Sequence, residues 1–336
     1  MVKRIKVVVT DYEYTSLHHE EEEIRKIGAE LVACQCRNEE DLIANACDAD
    51  GLLVQYARIT RRVIEHLTQC KAIVRYGIGV DSVDMKAATD HGIMVANVPD
   101  YGLQDVADHT VAMLLAAARK IVPLSNAVKS GVWNFNLAKP LYRLEGKIVG
   151  LVAFGNIARM VALRLQPFGF RIQVHDPYLN SGVAARHGVT AVDLPTLFST
   201  SDYICLHAPL MDSTRQLVNA DLLKLTKSSA ILINTARGGL VDEAALVDAL
   251  QRGRLAGAAL DVMEKEPVNP DNPLLQMENV IITPHAAWYT EEGQDTLQYK
   301  AARNMAQAMT GQIPDHILNP ECLNTAVNQT ADSKEK

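Results

Sequence analysis

Apolar residues along the chain gather in short runs separated by polar stretches of helical period. The first runs are Ile5-Lys6-Val7-Val8-Val9-Thr10, Gly51-Leu52-Leu53-Val54 and Ala72-Ile73-Val74-Arg75. Short β-branched runs alternating with helical spacers predict parallel strands covered by helices on both faces. Between 104 and 121, Val111, Ala112, Leu114, Leu115 and Ala118 mark a long apolar helix suited to cross between domains. A second series follows in Lys147-Ile148-Val149-Gly150-Leu151-Val152, Phe170-Arg171-Ile172-Gln173-Val174-His175, Tyr203-Ile204-Cys205-Leu206, Ala230-Ile231-Leu232-Ile233 and Val280-Ile281-Ile282. A helical pattern then runs from about Glu291 to Met309, and the tail from 325 is polar.

These periods describe an α/β protein with two doubly wound parallel-sheet domains. Since the second series starts mid-chain, a Rossmann-type domain at 101–292 is expected to be inserted into a flavodoxin-like domain made of 1–100 and 293–325, with 326–336 a disordered tail. A cleft between two such domains is a common ligand site.

Length supports the division, because 336 residues exceed what one hydrophobic core usually holds. A content of 48% hydrophobic and 22% charged residues is that of an ordinary globular chain. The net charge of -7, with no basic stripe, argues against direct nucleic-acid binding. The acidic run Glu20, Glu21, Glu22 and Glu23 reads as a solvated first helical turn. No apolar run reaches the ~18 residues of a membrane span, so no membrane contact is expected. The six cysteines lack metal-ligand spacing and the first residues do not resemble a signal peptide, so a reducing cytoplasm and no metal are expected.

The turn after Val152 reads Ala153-Phe154-Gly155-Asn156-Ile157-Ala158. It aligns with G-x-G-x-x-G with alanine at the first and third places, which those positions tolerate where φ stays negative and packing yields slightly. The middle glycine lets a pyrophosphate approach the helix N-terminus. Asp176, at the end of the next strand about 20 residues on, is placed to accept from ribose hydroxyls. No arginine or lysine follows it at Pro177, Tyr178 or Leu179, which favours NAD over NADP.

Chemistry-bearing residues follow other strands. Arg237, in Asn234-Thr235-Ala236-Arg237-Gly238-Gly239, can hold a carboxylate in a planar fork. His285, in Thr283-Pro284-His285-Ala286-Ala287-Trp288, can carry a proton near neutrality, and Glu266 can orient its ring. Singly each also fits an ion pair, a turn residue or a solvated loop acid. Their joint appearance at strand ends points to reduction of a 2-oxo acid.

The segments Val74-Arg75-Tyr76-Gly77-Ile78-Gly79-Val80-Asp81, Asn234 to Asp242, Gly257-Ala258-Ala259-Leu260-Asp261-Val262 with Glu266-Pro267, and Thr283 to Tyr289 resemble the D-isomer-specific 2-hydroxyacid dehydrogenases over nearly the whole chain. Asn97-Val98-Pro99 and Pro284-His285-Ala286-Ala287-Trp288-Tyr289 look most like the C-terminal-binding-protein branch, whose members can act as NADH-responsive corepressors. Phosphoglycerate dehydrogenase and glyoxylate/hydroxypyruvate reductase are nearby relatives.

The resemblance implies hydride transfer between nicotinamide and C2 of a small D-2-hydroxy or 2-oxo acid. Arg237 would bind the carboxylate, His285 would be acid and base, and Glu266 its partner. Asp261 would meet the nicotinamide carboxamide. Thr110, His207, Ala208, Pro209, Thr214, Thr235 and Ala236 would join Ala153, Phe154, Gly155, Asn156, Ile157, Asp176, Pro177, Arg237 and His285 in facing NAD. Arg75, Tyr76, Gly77, Ile78 and Trp288 would line the substrate pocket beside Arg237 and His285. The alternatives are an NADH-sensing corepressor-like protein and a phosphite-type dehydrogenase; formate enzymes typically carry glutamine where Glu266 stands. Relatives imply a homodimer through the NAD-binding domain, around 101–145, with Trp133 and Phe135 as anchors.

Overall fold

Strands pair in parallel in two separate sheets. A computed structural model describes residues 4–323; the expected disordered tail, 326–336, lies outside the described residues. The first sheet contains β1 (Lys6–Val9), β2 (Glu30–Ala33), β3 (Gly51–Val54), β4 (Ala72–Arg75) and β5 (Met94–Ala96), in the order β2-β1-β3-β4-β5. The second contains β6 (Ile148–Val152), β7 (Arg171–His175), β8 (Thr190–Ala191), β9 (Tyr203–Leu206), β10 (Ile231–Asn234), β11 (Gly257–Leu260) and β12 (Val280–Ile282). Their order is β12-β11-β10-β9-β6-β7-β8. The doubly wound α/β class expected from the alternating runs is the observed one. The chain divides into two units, one formed by the described residues up to Gly102 and from Thr290 on, the other by Leu103–Tyr289.

In the first unit the central strands are apolar on both faces because helices cover both. Val7, Val8, Val9, Leu52, Leu53, Val54, Ile73 and Val74 have no solvent exposure. The helix Glu291–Met309 starts where the Thr290 hydroxyl caps the Gly293 amide, and it packs on the helix His18–Lys26, on β3 and on β4.

One expectation fails in this unit. Glu20 is fully buried, where its acidic run reads as solvated. It accepts from the Tyr76 hydroxyl at 2.9 Å and from Gln298 Nε2 at 3.2 Å. Burial raises its carboxyl above the usual glutamate range, against the lowering effect of these hydrogen bonds. The run of like charges hides that one of its members faces the core once per helical turn.

In the second unit the apolar helix ends earlier than its pattern suggests, at Ala118. Lys120 takes a left-handed φ of 51°, and a second helix, Ile121–Lys129, has no buried residue. Helix Leu103–Ala118 packs on β10, β11, β12 and on the helix Asn156–Leu165. Among the described residues no single helix is long and apolar enough to cross a membrane.

Candidate active site

The strands of the second unit end together at one edge of the sheet, and their loops carry the polar side chains. Asp261 follows β11 and is 1% exposed. Its Oδ1 accepts from the Thr283 hydroxyl at 2.5 Å and the Ala286 amide at 2.9 Å, and its Oδ2 accepts from the Ala287 amide at 2.9 Å. Its carbonyl accepts from the His285 amide at 2.8 Å. One buried carboxylate thus holds the loop after β12 in place. His285 sits within that loop at φ 53°, a left-handed conformation that costs a non-glycine residue about 1–3 kcal/mol and persists only where its surroundings over-determine it.

His285 Nδ1 lies 2.6 Å from Glu266 Oε2, while Glu266 Oε1 accepts from the Met263 amide at 2.9 Å. Burial raises the Glu266 carboxyl, but the His285 hydrogen bond and charge, the Met263 amide and the Arg237 charge outweigh it. The group is held below the ordinary glutamate range. With Nδ1 occupied, Nε2 has no hydrogen-bond partner among the described residues.

Arg237 extends from the loop after β10. Asn234, 1% exposed, ties that loop: its Nδ2 donates to the Arg237 carbonyl at 2.9 Å and its Oδ1 accepts from the Ala236 amide at 3.0 Å. Arg237 Nη1 donates to the Ala236 carbonyl at 2.7 Å. Gly238 permits a close approach, since a Cβ there would stand 2.0 Å from the Met263 backbone, three residues before Glu266. Arg237, Glu266 and His285, far apart in sequence, therefore come together in one unit.

The turn after β6 tests whether a dinucleotide fits. Gly155 begins the helix Asn156–Leu165, which has no side-chain cap, and a Cβ at Gly155 would meet nothing within 4 Å. Its first-turn amides are open to a phosphate. Ala158 is fully buried in the core, so its methyl does not obstruct the turn. Asp176 Oδ2 accepts from the Phe154 amide and Oδ1 from the Tyr178 amide, both at 2.8 Å, which leaves lone pairs for ribose hydroxyls beside Pro177. The Phe154 ring is 2% exposed and belongs to the core, edge-on to His187, so only its backbone borders the turn.

Ala153 departs from the expectation of a negative φ, standing at 71°. The turn keeps its glycine-type geometry although the side chain has changed. Ala153→Gly should therefore raise stability by about 1 kcal/mol and Tm by about 2 °C; a lowered melting temperature in calorimetry would contradict the left-handed turn.

Elsewhere along this edge, Thr110 and Thr235 share a hydrogen bond at 2.7 Å between hydroxyls. The Thr214 hydroxyl donates to the Pro209 carbonyl at 2.6 Å and accepts from the Met211 amide, closing the loop after β9. Ala208 is buried, and burial pushes the neighbouring His207 imidazole down to about 4. Trp288 is half-buried, edge-on to Tyr289 at 5.7 Å. His109, Thr283 and Asn234 are missing from the sequence-derived set. A helical histidine and a threonine before a proline carry no pattern signal of their own.

In the first unit Arg75 ends β4, and Tyr76, Gly77 and Ile78 follow it. The Tyr76 side chain turns into the core, edge-on to Tyr14 at 5.2 Å. The Gly77 carbonyl accepts from the Val98 amide and the Ile78 carbonyl from Asn97 Nδ2, whereas the two amides have no partner among the described residues. The Arg75 guanidinium lies against Gly77, where a Cβ would meet Nη1 at 1.5 Å, so a cation stands beside the two amides.

The family model for the D-isomer specific 2-hydroxyacid dehydrogenase, NAD binding domain, matches residues 111–287. The chain is 38% identical over 317 residues to D-3-phosphoglycerate dehydrogenase of Methanocaldococcus jannaschii, covering 94% of this chain and 59% of that protein. It is 37% identical over 284 residues to glyoxylate reductase of Korarchaeum cryptofilum, covering 83% of this chain and 86% of that protein. D-lactate dehydrogenase of Aquifex aeolicus, solved with NAD and lactic acid, matches with a TM-score of 0.84 and 26% identity over 93% of this chain and 99% of that one. The chain spans 59% and 51% of the length of two phosphoglycerate dehydrogenases it matches. The unit Leu103–Tyr289 contains the family's NAD binding domain. With that domain matched and such identity extending over most of its length, the chain belongs to the D-isomer specific 2-hydroxyacid dehydrogenase family.

Proposed function

We propose that this chain is an NAD-dependent dehydrogenase interconverting a small 2-oxo carboxylic acid and its D-2-hydroxy acid. The observation that carries the reading is the His285–Glu266 pair at 2.6 Å, with Nε2 unspent and the Arg237 charge acting on the same carboxylate. Bound NADH supplies a hydride to the substrate C2. Arg237 holds the substrate carboxylate in a two-pronged hydrogen bond and polarises the C2 carbonyl. His285 gives its Nε2 proton to the C2 oxygen in reduction and takes it back in oxidation, while Glu266 keeps the ring oriented.

Thr110, Thr235, Ala236, Asp261, His207, Ala208, Pro209 and Thr214 border the cofactor on this reading, with Gly155, Asn156 and Ile157 at its pyrophosphate. Asp176 favours NAD, since a carboxylate repels a 2′-phosphate. In the first unit (1–100 and 293–325 as the substrate-binding domain), Arg75 and the Gly77 and Ile78 amides suit an anionic group. Trp288 supplies an apolar wall. The apolar surface around Trp133, 90% exposed, and Phe135, 75% exposed, supports a homodimer through the 101–292 domain. Six free thiols suit a reducing cytoplasm.

Following NADH absorbance with glyoxylate, pyruvate and hydroxypyruvate tests the proposal. Turnover is expected with at least one of them, and for the chiral products of pyruvate and hydroxypyruvate reoxidation should consume the D but not the L form. Tight NADH binding without turnover on a broad panel of 2-oxo acids would favour the corepressor-like reading.

A further inference from the structure

The helix Leu103–Ala118 brings His109 to the strand ends of the candidate active site. His109 Nε2 lies 3.1 Å from Thr283 Oγ1 and 3.6 Å from Asp261 Oδ1. Thr283 spends its hydroxyl proton on Asp261 Oδ1. A hydroxyl used this way can only accept from the imidazole, so His109 carries its proton on Nε2. Asp261 in turn holds the Ala286 and Ala287 amides on either side of its carboxylate, and its carbonyl holds the His285 amide. A continuous chain of hydrogen bonds thus runs from the helix to the left-handed residue that presents the imidazole to Glu266.

We infer that His109 is a positioning residue, which fixes the Thr283 hydroxyl on Asp261 and so holds the His285 turn in its reactive conformation. The inference rests on the reading of His285 as acid and base. Without His109, the Thr283 hydroxyl has another acceptor within reach, Met113 Sδ at 3.8 Å. Each time it turns there, Asp261 loses one of the bonds that orient its Oδ1. The His285 turn is then less constrained, while Arg237 and the pyrophosphate-binding turn after β6, which sit on other loops, are untouched.

His109→Phe, which keeps the ring and removes the donor, should lower kcat about tenfold with the 2-oxo acid KM and the NADH Kd within about twofold. His109→Gln, whose amide N–H reaches the same point, should restore most of the loss. Thr283→Val should cost a similar factor, and the double variant no more than either single one, because both remove the same link. This pair keeps the test decisive should His109→Phe fold poorly. Wild-type kcat in His109→Phe, a folded His109→Gln no better than it, or additive losses in the double variant would overturn the inference. A wild type inactive on every 2-oxo acid would instead overturn the dehydrogenase reading. In that case the NMR titration of the His285 ring still reads the relay: a curve changed by His109→Phe supports it and an unchanged curve overturns it.

Discussion

Replacing His285 with glutamine should lower kcat for 2-oxo acid reduction about a thousandfold while leaving NADH affinity within about twofold. Glutamine retains a polar side chain of similar reach but cannot give up a proton near neutrality. The turn after β6 and Asp176 after β7, to which the proposal assigns the cofactor, are separated from β12 by β11, β10 and β9 in the sheet, so cofactor binding should be preserved. The pH dependence should change with it. On the proposed mechanism reduction consumes a proton and oxidation releases one, so the wild-type reduction rate should fall as pH rises and the oxidation rate should rise. Glu266 is held below the ordinary glutamate range, so it stays ionised as pH rises and adds nothing to this change. The glutamine variant should show a small residual rate that is flat in pH over the same range. Initial rates across pH, with NADH binding followed by fluorescence, check both parts, and a variant with wild-type turnover would remove His285 from the chemistry.

Much of the architecture is legible in the sequence because buried parallel strands are written as continuous apolar runs. The runs at β1, β3, β4, β6, β9 and β10 announce themselves this way, β12 is apolar though only half-buried, and β7 is marked instead by its alternation of apolar and polar residues. Of the strands without such a signal, β5 has only three residues, and the other three fail for physical reasons. β2 is an edge strand whose Glu30 and Ala33 are exposed. β8 has two residues, both exposed. β11, Gly-Ala-Ala-Leu, is fully buried between β10 and β12, yet its small side chains have low strand propensity and only its neighbours make it a strand.

The site divides similarly. Arg237, Glu266 and His285 stand out because guanidinium, carboxylate and imidazole after apolar runs suggest one chemistry together. The network beneath them does not. Asp261 reads in the sequence as a cofactor contact by resemblance, while in three dimensions most of its acceptor capacity is spent on the His285 loop. Asn234 pins the Arg237 loop by bonds to its own neighbours, and His109 reaches Thr283 across 174 positions. Such supports depend on tertiary proximity and leave no local period. Ala153 shows the reverse case, since composition argues against a left-handed residue and the turn imposes one.

Arg237→Lys should lower kcat/KM for the 2-oxo acid about a hundredfold with NADH affinity little changed. The guanidinium offers two parallel N–H donors in a fixed plane, matching both oxygens of a carboxylate, whereas an ammonium is a point charge that satisfies one at a time. Losing one charged hydrogen bond costs about 1.5–3 kcal/mol, and a misplaced carbonyl adds to it in the transition state. The loop cannot compensate by shifting. Asn234 fixes it on one side, and on the other Gly238 is packed so closely on the Met263 backbone that a methyl would not fit. A shorter reach from the same anchor therefore leaves the substrate carboxylate displaced relative to His285 Nε2, so the loss should fall on both KM and kcat. Loss in KM alone would make Arg237 a binding group without a part in the transition state. A variant within threefold of wild type in kcat/KM would mean that the carboxylate is held elsewhere and that the convergence of Arg237 with His285 and Glu266 serves the fold.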